Sequence, residues 1–516
     1  MKLTILVGLL LNVFPGLVNQ LQAQTAIEGF WQMPGGSLIV SIGTKALSFY
    51  EVTNRDKQVG SAASCYQLGE KQLRDPLDFY LPLQRSSYYL IAKEQLSFVD
   101  EGAVSNPLLK RIKQLPKQCL NKKQFNSQYQ PQPLVDLDII WNAFSQHYGF
   151  LALRGISQQQ WRDKYPGFKS KAINTKNARQ LFSLLSEVLE YAAGEKNLSG
   201  LIIQADDHVE MQSEQFNWRY QVHQSPNYSR RRVVFKNPEK TYLSAYLETD
   251  KHVLAQSQRL LTKGDIWGVT SYFGKIKQQN IGYLQLNSML DFASVGTKAS
   301  LGEYQKLSRA GEHFMQQVMG IANMKKYSKM IIDIRNNFGG TDQIGLMIAS
   351  YFNDRKREVF SKAQRIHSSA DEVLWSAAIP WQLDSREDYF KGDIILLTSR
   401  YSVSAAEIFA LAMSQIPRVT IIGEPTTGSL SDVSNVHTSN GWALSLSAEV
   451  YRKIMNTPKE RMDKLLSNSV TNYTNSPEGV GVIPDVEVEY LGNKHYPLLS
   501  FMAVRQDRAL ERAIKH

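Results

Sequence analysis

The segment Thr398–Phe409, TSRYSVSAAEIF, holds the residue types that nucleophilic chemistry needs at a strand-to-helix turn. A short apolar run, Asp393–Leu397 (DIILL), reads as a buried strand; a polar turn follows, and a helix is expected from Ala405 to Ser414. A serine at such a turn stands at the positive end of the helix dipole. The backbone N–H after it has no partner inside the helix and can face a developing oxyanion. Ala405 and Ala406 leave room for a substrate carbonyl. An ordinary helix N-cap reads the same way, and both Ser402 and Ser404 fit it.

Three further segments bear on that choice. Asp333–Gly340 reads DIRNNFGG, Gly423–Gly428 reads GEPTTG, and Glu478–Asp485 reads EGVGVIPD. Together with SVSAAEIF, and in this order, they resemble the four signature segments of the tail-specific (C-terminal-processing) and tricorn-core serine peptidases. The resemblance runs from about residue 281 to 489. It implies an α/β core of the crotonase/ClpP-like type and hydrolysis of a peptide or protein substrate through an acyl-enzyme. It also implies that the nucleophile is Ser404, three residues before Glu407, with Ser402 as the alternative. By the same resemblance, Gly339 and Gly340 bring a second backbone N–H to the oxyanion beside that of Ala405.

The base departs from the bacterial tail-specific pattern, in which a lysine directly follows G-x-T-x-G. Here Ser429 follows Gly428, and the next lysine is Lys453. No stretch resembles the usual PDZ insert. The resemblance is therefore to the tricorn-like branch, where a neutral imidazole takes the serine proton and returns it to the leaving amine. His208, in Ala205–Val209 (ADDHV) after the amphipathic run Ala178–Tyr191, is similar to the histidine of that branch. Glu478 falls where the tetrad's acid is expected. Asp207 stands where tricorn has a serine, and its part in the relay is left open. His147 and His437 are the other candidate bases; His147 closes a helix, where the dipole favours imidazolium.

Other chemistries find no support in the sequence. There is no H-E-x-x-H and no phosphate-binding glycine loop, and Asp206-Asp207-His208 is too short for a ligand set, so no metal or cofactor is expected. The charge balance, 59 − 48 = +11, is modest for 516 residues. Arg230-Arg231-Arg232 beside Val233-Val234-Phe235 reads as a solvated hairpin face rather than a nucleic-acid groove. The competing reading is a non-catalytic relative that binds peptides or apolar ligands in the same cleft; the missing lysine favours it.

The elements that must position these residues follow from patterning. Lys2, the apolar stretch Leu3–Val18 and Leu21-Gln22-Ala23 read as a signal peptide over residues 1–23, too short and too broken by Pro15 for a retained span. An exported protein, periplasmic or extracellular, is expected to join Cys65 to Cys119, its two cysteines. Residues 24–120 read as a small all-β domain and 121–133 as a linker. Residues 134–280 form a helical and mixed subdomain contributing the base; 281–490 alternate strand and helix as the α/β peptidase core; 491–516 are a C-terminal helix or tail.

Overall fold

Alternating apolar residues between positions 38 and 53 form two paired strands, and their neighbours extend them into a seven-stranded antiparallel sheet. The computed structural model describes residues 28–32, 38–43, 46–53, 59–72, 88–92, 95–98, 108–120, 132–151, 155–192, 209–213, 218–222, 253, 255–263, 271–289, 301–337, 339–368, 373–375, 379–431, 433–439, 442–447, 449–453, 481–489 and 507–516. The first sheet comprises β1 (Gly29–Gln32), β2 (Leu38–Ile42), β3 (Ala46–Thr53), β4 (Ser64–Gln72), β5 (Tyr88–Ala92), β6 (Gln95–Phe98) and β7 (Leu108–Ile112). Its order is β4-β3-β2-β1-β7-β6-β5. The short α1 (Lys117–Leu120) carries Cys119, which is disulfide-bonded to Cys65 on β4, with Cα atoms 4.9 Å apart.

A helical layer follows: α2 (Pro133–Gln146), α3 (Gln158–Ile173) and α4 (Ala178–Ala192). The stripe Leu137, Ile140, Trp141 and Phe144 on α2 is fully buried. Trp141 stacks on Trp161 of α3 at 4.0 Å between ring centres. Asn142 of α2 accepts from the Ser61 hydroxyl and donates to the Ala62 carbonyl, tying the first sheet to this layer.

The remaining elements are β8 (Val209–Ser213), β9 (Trp218–Val222), β10 (Ser257–Lys263), β11 (Ser271–Ile276), β12 (Ile281–Gln285), α5 (Leu301–Lys325), β13 (Lys329–Asp333), α6 (Asp342–Ser350), β14 (Arg357–Ser368), β15 (Val373–Trp375), β16 (Ile379–Leu383), β17 (Asp393–Thr398), α7 (Ala405–Met413), β18 (Val419–Gly423), β19 (Val433–His437), β20 (Ala443–Ser447), β21 (Glu449–Lys453), β22 (Val486–Glu487) and α8 (Arg508–Lys515). The central sheet has the order β10-β11-β12-β13-β17-β18-β22 and is parallel from β12 onward. Its middle strands are buried on both faces, which is why they read as unbroken apolar runs. Met330, Ile332, Ile394 and Leu396 face a core shared with α5, α6 and α7. Ile331, Ile395 and Leu397 face the opposite core, closed by Ala509, Leu510 and Ala513 of α8.

The division expected at residue 281 does not follow the sheets. β10 and β11 lie before it, yet they pair antiparallel onto β12 and extend the central sheet. β8 pairs with β20 in a four-stranded sheet of order β19-β20-β8-β9, so the two expected units share a sheet. Antiparallel pairing across long sequence separation leaves no local mark at such a boundary.

Candidate active site

β13, β17 and β18 are neighbouring parallel strands, so the loops that leave their C-terminal ends emerge at one edge of the sheet. The first loop is the DIRNNFGG segment, the second is the turn into α7, and the third is the GEPTTG segment.

The turn into α7 carries the decisive geometry. Ser404 sits at the N-cap of α7 with φ 56° and ψ −124°. Positive φ in a residue with a Cβ is costly, on the order of 1–3 kcal/mol, and persists only where the surroundings impose it. Here they do: the Val403 N–H donates to the Asn337 carbonyl (2.9 Å), and the Glu407 and Ile408 N–H groups donate to the Ser404 carbonyl (2.7 and 3.2 Å). Ser404 itself is half-buried. Ser402 is fully buried and its hydroxyl is engaged, donating to the Ile334 carbonyl (2.8 Å) and accepting from the Ser399 N–H (3.2 Å). Ser402 thus holds the turn to the neighbouring loop.

The glycine loop lies directly against this turn. A Cβ on Gly339 would stand 2.7 Å from the Val403 carbonyl oxygen and 2.8 Å from the Cβ of Ser404. Gly339 and Gly340 also have φ of 100° and 140°, values that favour glycine. Their two N–H groups differ. That of Gly339 donates to Asn337 Oδ1 at 2.9 Å, so it is occupied within the loop. The Gly340 and Ala405 N–H groups donate to no described residue. Of the three backbone donors expected at the oxyanion, two have no acceptor among the described residues and one is engaged.

Glu407 is the residue whose role the sequence reading missed. It is fully buried, and its carboxylate accepts four hydrogen bonds. Oε1 accepts from Thr426 Oγ1 and the Gly428 N–H, both at 2.6 Å. Oε2 accepts from the Ser429 N–H (2.8 Å) and the Ser404 N–H (3.1 Å). One carboxylate therefore joins the serine turn to the GEPTTG loop. Burial pushes its pKa up to about 7, against the lowering effect of those donors. The available signal was the Ser-x-x-Glu spacing, which is that of a capping box. Thr426 Oγ1 also accepts from the Val482 N–H (2.7 Å), bringing the segment from Gly481 onto the same loop.

Comparison with known proteins bears on this arrangement. Residues 280–462 match the model of peptidase family S41. The matched region contains all three loops and both open N–H groups. Among solved structures, a protein from Parabacteroides merdae ATCC 43184 is 18% identical, with a TM-score of 0.49, covering 75% of this chain and 96% of its own. The photosystem II D1 C-terminal processing protease is 14% identical, TM-score 0.38, with 74% and 99% covered. The tricorn protease is 12% identical, TM-score 0.35, with 92% of this chain and 46% of that one covered. Likenesses this low carry no argument by themselves.

His208, Asp207 and Glu478 lie outside the described residues, as do the signal-peptide stretch and most of the linker. Val209, next after His208, opens β8 and pairs with Leu446 of β20. Ser429, in the place of the tail-specific lysine, contributes its N–H to Glu407. His147 is buried and closes α2, its N–H donating to the Ala143 carbonyl (2.8 Å). His437 Nδ1 lies 3.1 Å from Glu51 Oε2 of β3, and this hydrogen bond raises the imidazole pKa. That histidine is committed to the first sheet.

Proposed function

We propose that this chain is an exported serine peptidase of the tricorn-like branch, with a crotonase/ClpP-like core, acting on peptide or protein substrates. The observation that carries this reading is Ser404, held at φ 56° at the start of α7 between Gly339 and Glu407, beside the open Ala405 N–H. A strained serine of this kind is maintained where function requires it. Ser404 Oγ attacks the scissile carbonyl, and His208 accepts its proton. The tetrahedral oxyanion rests on the N–H groups of Ala405 and Gly340. His208 then returns the proton to the leaving amine, and water hydrolyses the resulting ester in the reverse sense. Glu478 orients the base. Glu407 does not touch the substrate; it keeps Ser404 and the 426–429 loop in register. The Cys65–Cys119 bond supports export, since disulfides persist in oxidising compartments. Among the described residues no helix is long and apolar enough to cross a membrane.

The test of the base is a pH–rate profile of peptide hydrolysis with and without His208→Ala. A histidine base gives an acid limb in kcat/KM near pH ~6.5. His208→Ala then loses nearly as much activity as Ser404→Ala, because members of a catalytic unit do not act additively. Full activity in His208→Ala sinks the histidine assignment.

A further inference from the structure

The oxyanion loop is anchored from a distant part of the chain. Arg335 is the third residue of DIRNNFGG and is fully buried. Its guanidinium is shared between two carboxylates. Nε and Nη2 bond Asp333 (Nε at 3.0 and 3.1 Å, Nη2 at 2.6 Å), and Nη1 bonds Asp507 Oδ1 at 2.7 Å. Asp333 also accepts the Tyr283 hydroxyl at 2.6 Å. A buried guanidinium needs such pairing, and removing one partner leaves part of its charge uncompensated.

Asp507 is the N-cap of α8, and the same Oδ1 accepts the Leu510 N–H at 3.0 Å. At the other end of α8, Lys329 Nζ donates to the carbonyls of Ala513 and Ile514 (3.5 and 3.4 Å). Lys329 begins β13 and Asp333 ends it, so α8 is fastened to both ends of the strand that launches the loop.

The main chain at Arg335 passes this anchorage to the site. The Arg335 carbonyl accepts the Ser399 hydroxyl of the serine turn. Two residues on, the Asn337 carbonyl accepts the Val403 N–H, and Asn337 Oδ1 accepts the Gly339 N–H. We propose that Asp507 is a positioning residue: through Arg335, α8 sets the separation between the Gly340 and Ala405 N–H groups. The inference rests on the peptidase reading of Ser404.

Asp507→Asn tests it, because asparagine caps a helix as well as aspartate does while removing the charge that pairs with Arg335. Expected is a fall in kcat of roughly 100-fold, the loss that follows from misplacing reacting groups by about an ångström. KM should stay within about twofold, since the lost interaction serves the transition state. Asp507→Glu should recover part of kcat, and hydrogen exchange of the 334–340 segment should quicken in Asp507→Asn. Unchanged kcat with unchanged exchange overturns the proposal. So does a loss of kcat no larger than the unfolded fraction explains. If the wild type hydrolyses no peptide, the peptidase reading fails, and the exchange measurement alone decides the coupling: unaltered exchange refutes it, and quickened exchange upholds it.

Discussion

Gly339 leaves no room for a side chain beside Ser404: a Cβ added to Gly339 would lie 2.8 Å from that of Ser404 and 3.1 Å from the Ala405 nitrogen. The two loops therefore meet where only glycine fits, and the open Ala405 N–H is the atom beside the contact. Gly339→Ala should push the loops apart. The expected cost in stability is about 1–3 kcal/mol, from crowding and from φ of 100°. Peptidase activity should fall much further than that loss explains. Comparing Tm with kcat/KM in the same preparation separates the two effects; unimpaired kcat/KM would mean the contact does not shape the site.

Ser402 and Ser404 are two residues apart and differ in the work of their hydroxyls. Ser402→Ala leaves the Ser399 N–H without its buried partner and the Ile334 carbonyl with the Asn337 N–H alone. The expected loss is about 1–3 kcal/mol of stability. Folded Ser402→Ala protein should still hydrolyse peptide, which urea titration and an assay on the folded fraction will check. Complete inactivity of folded Ser402→Ala, with activity kept in Ser404→Ala, would move the nucleophile by two positions.

The carboxyl of Glu407 titrates from about 7 in the folded protein, against 4.5 when free, because burial disfavours its charge. The folded state thus binds this proton more tightly than the unfolded state. Its contribution to stability is fully present below pH 4.5 and is lost as pH rises through about 7. Urea unfolding across that window should show stability declining, and Glu407→Gln should remove this part of the slope. Glutamine also sets an N–H₂ among four donors, so the variant should be less stable throughout. An unchanged slope in Glu407→Gln would place the titration elsewhere.

Much of this site was legible in the sequence for identifiable reasons. β13, β17 and β18 are buried on both faces, so MIID, IILL and VTII stand out as apolar runs closed by glycine or polar turns. The serine turn was visible because a strand, a short polar turn and small residues follow one another within a dozen positions. Local patterning left Ser402 and Ser404 equivalent; backbone φ and hydroxyl partners distinguish them. The strands from Val209 to Ile276 were not placed. β10 (SQRLLTK) is a largely polar edge strand, and β20, which pairs with β8 on the side away from β9, is more than 200 residues away. Besides Ser404, the partners of Glu407 lie 19 to 22 residues downstream, and Asp507, which shares Arg335 with Asp333, lies 172 residues downstream. Neither spacing follows a helical or strand period, so only the folded chain reveals them.

Labelling with a serine-directed fluorophosphonate tests the role of Ser404 most directly. The folded wild-type protein should take up one equivalent of probe, with the phosphonyl group on the peptide that contains Ser404. Ser404→Ala should take up none while keeping its melting transition. A wild-type protein that stays unlabelled, or a Ser404→Ala protein labelled as fast as the wild type, would contradict the assignment of Ser404 as the nucleophile.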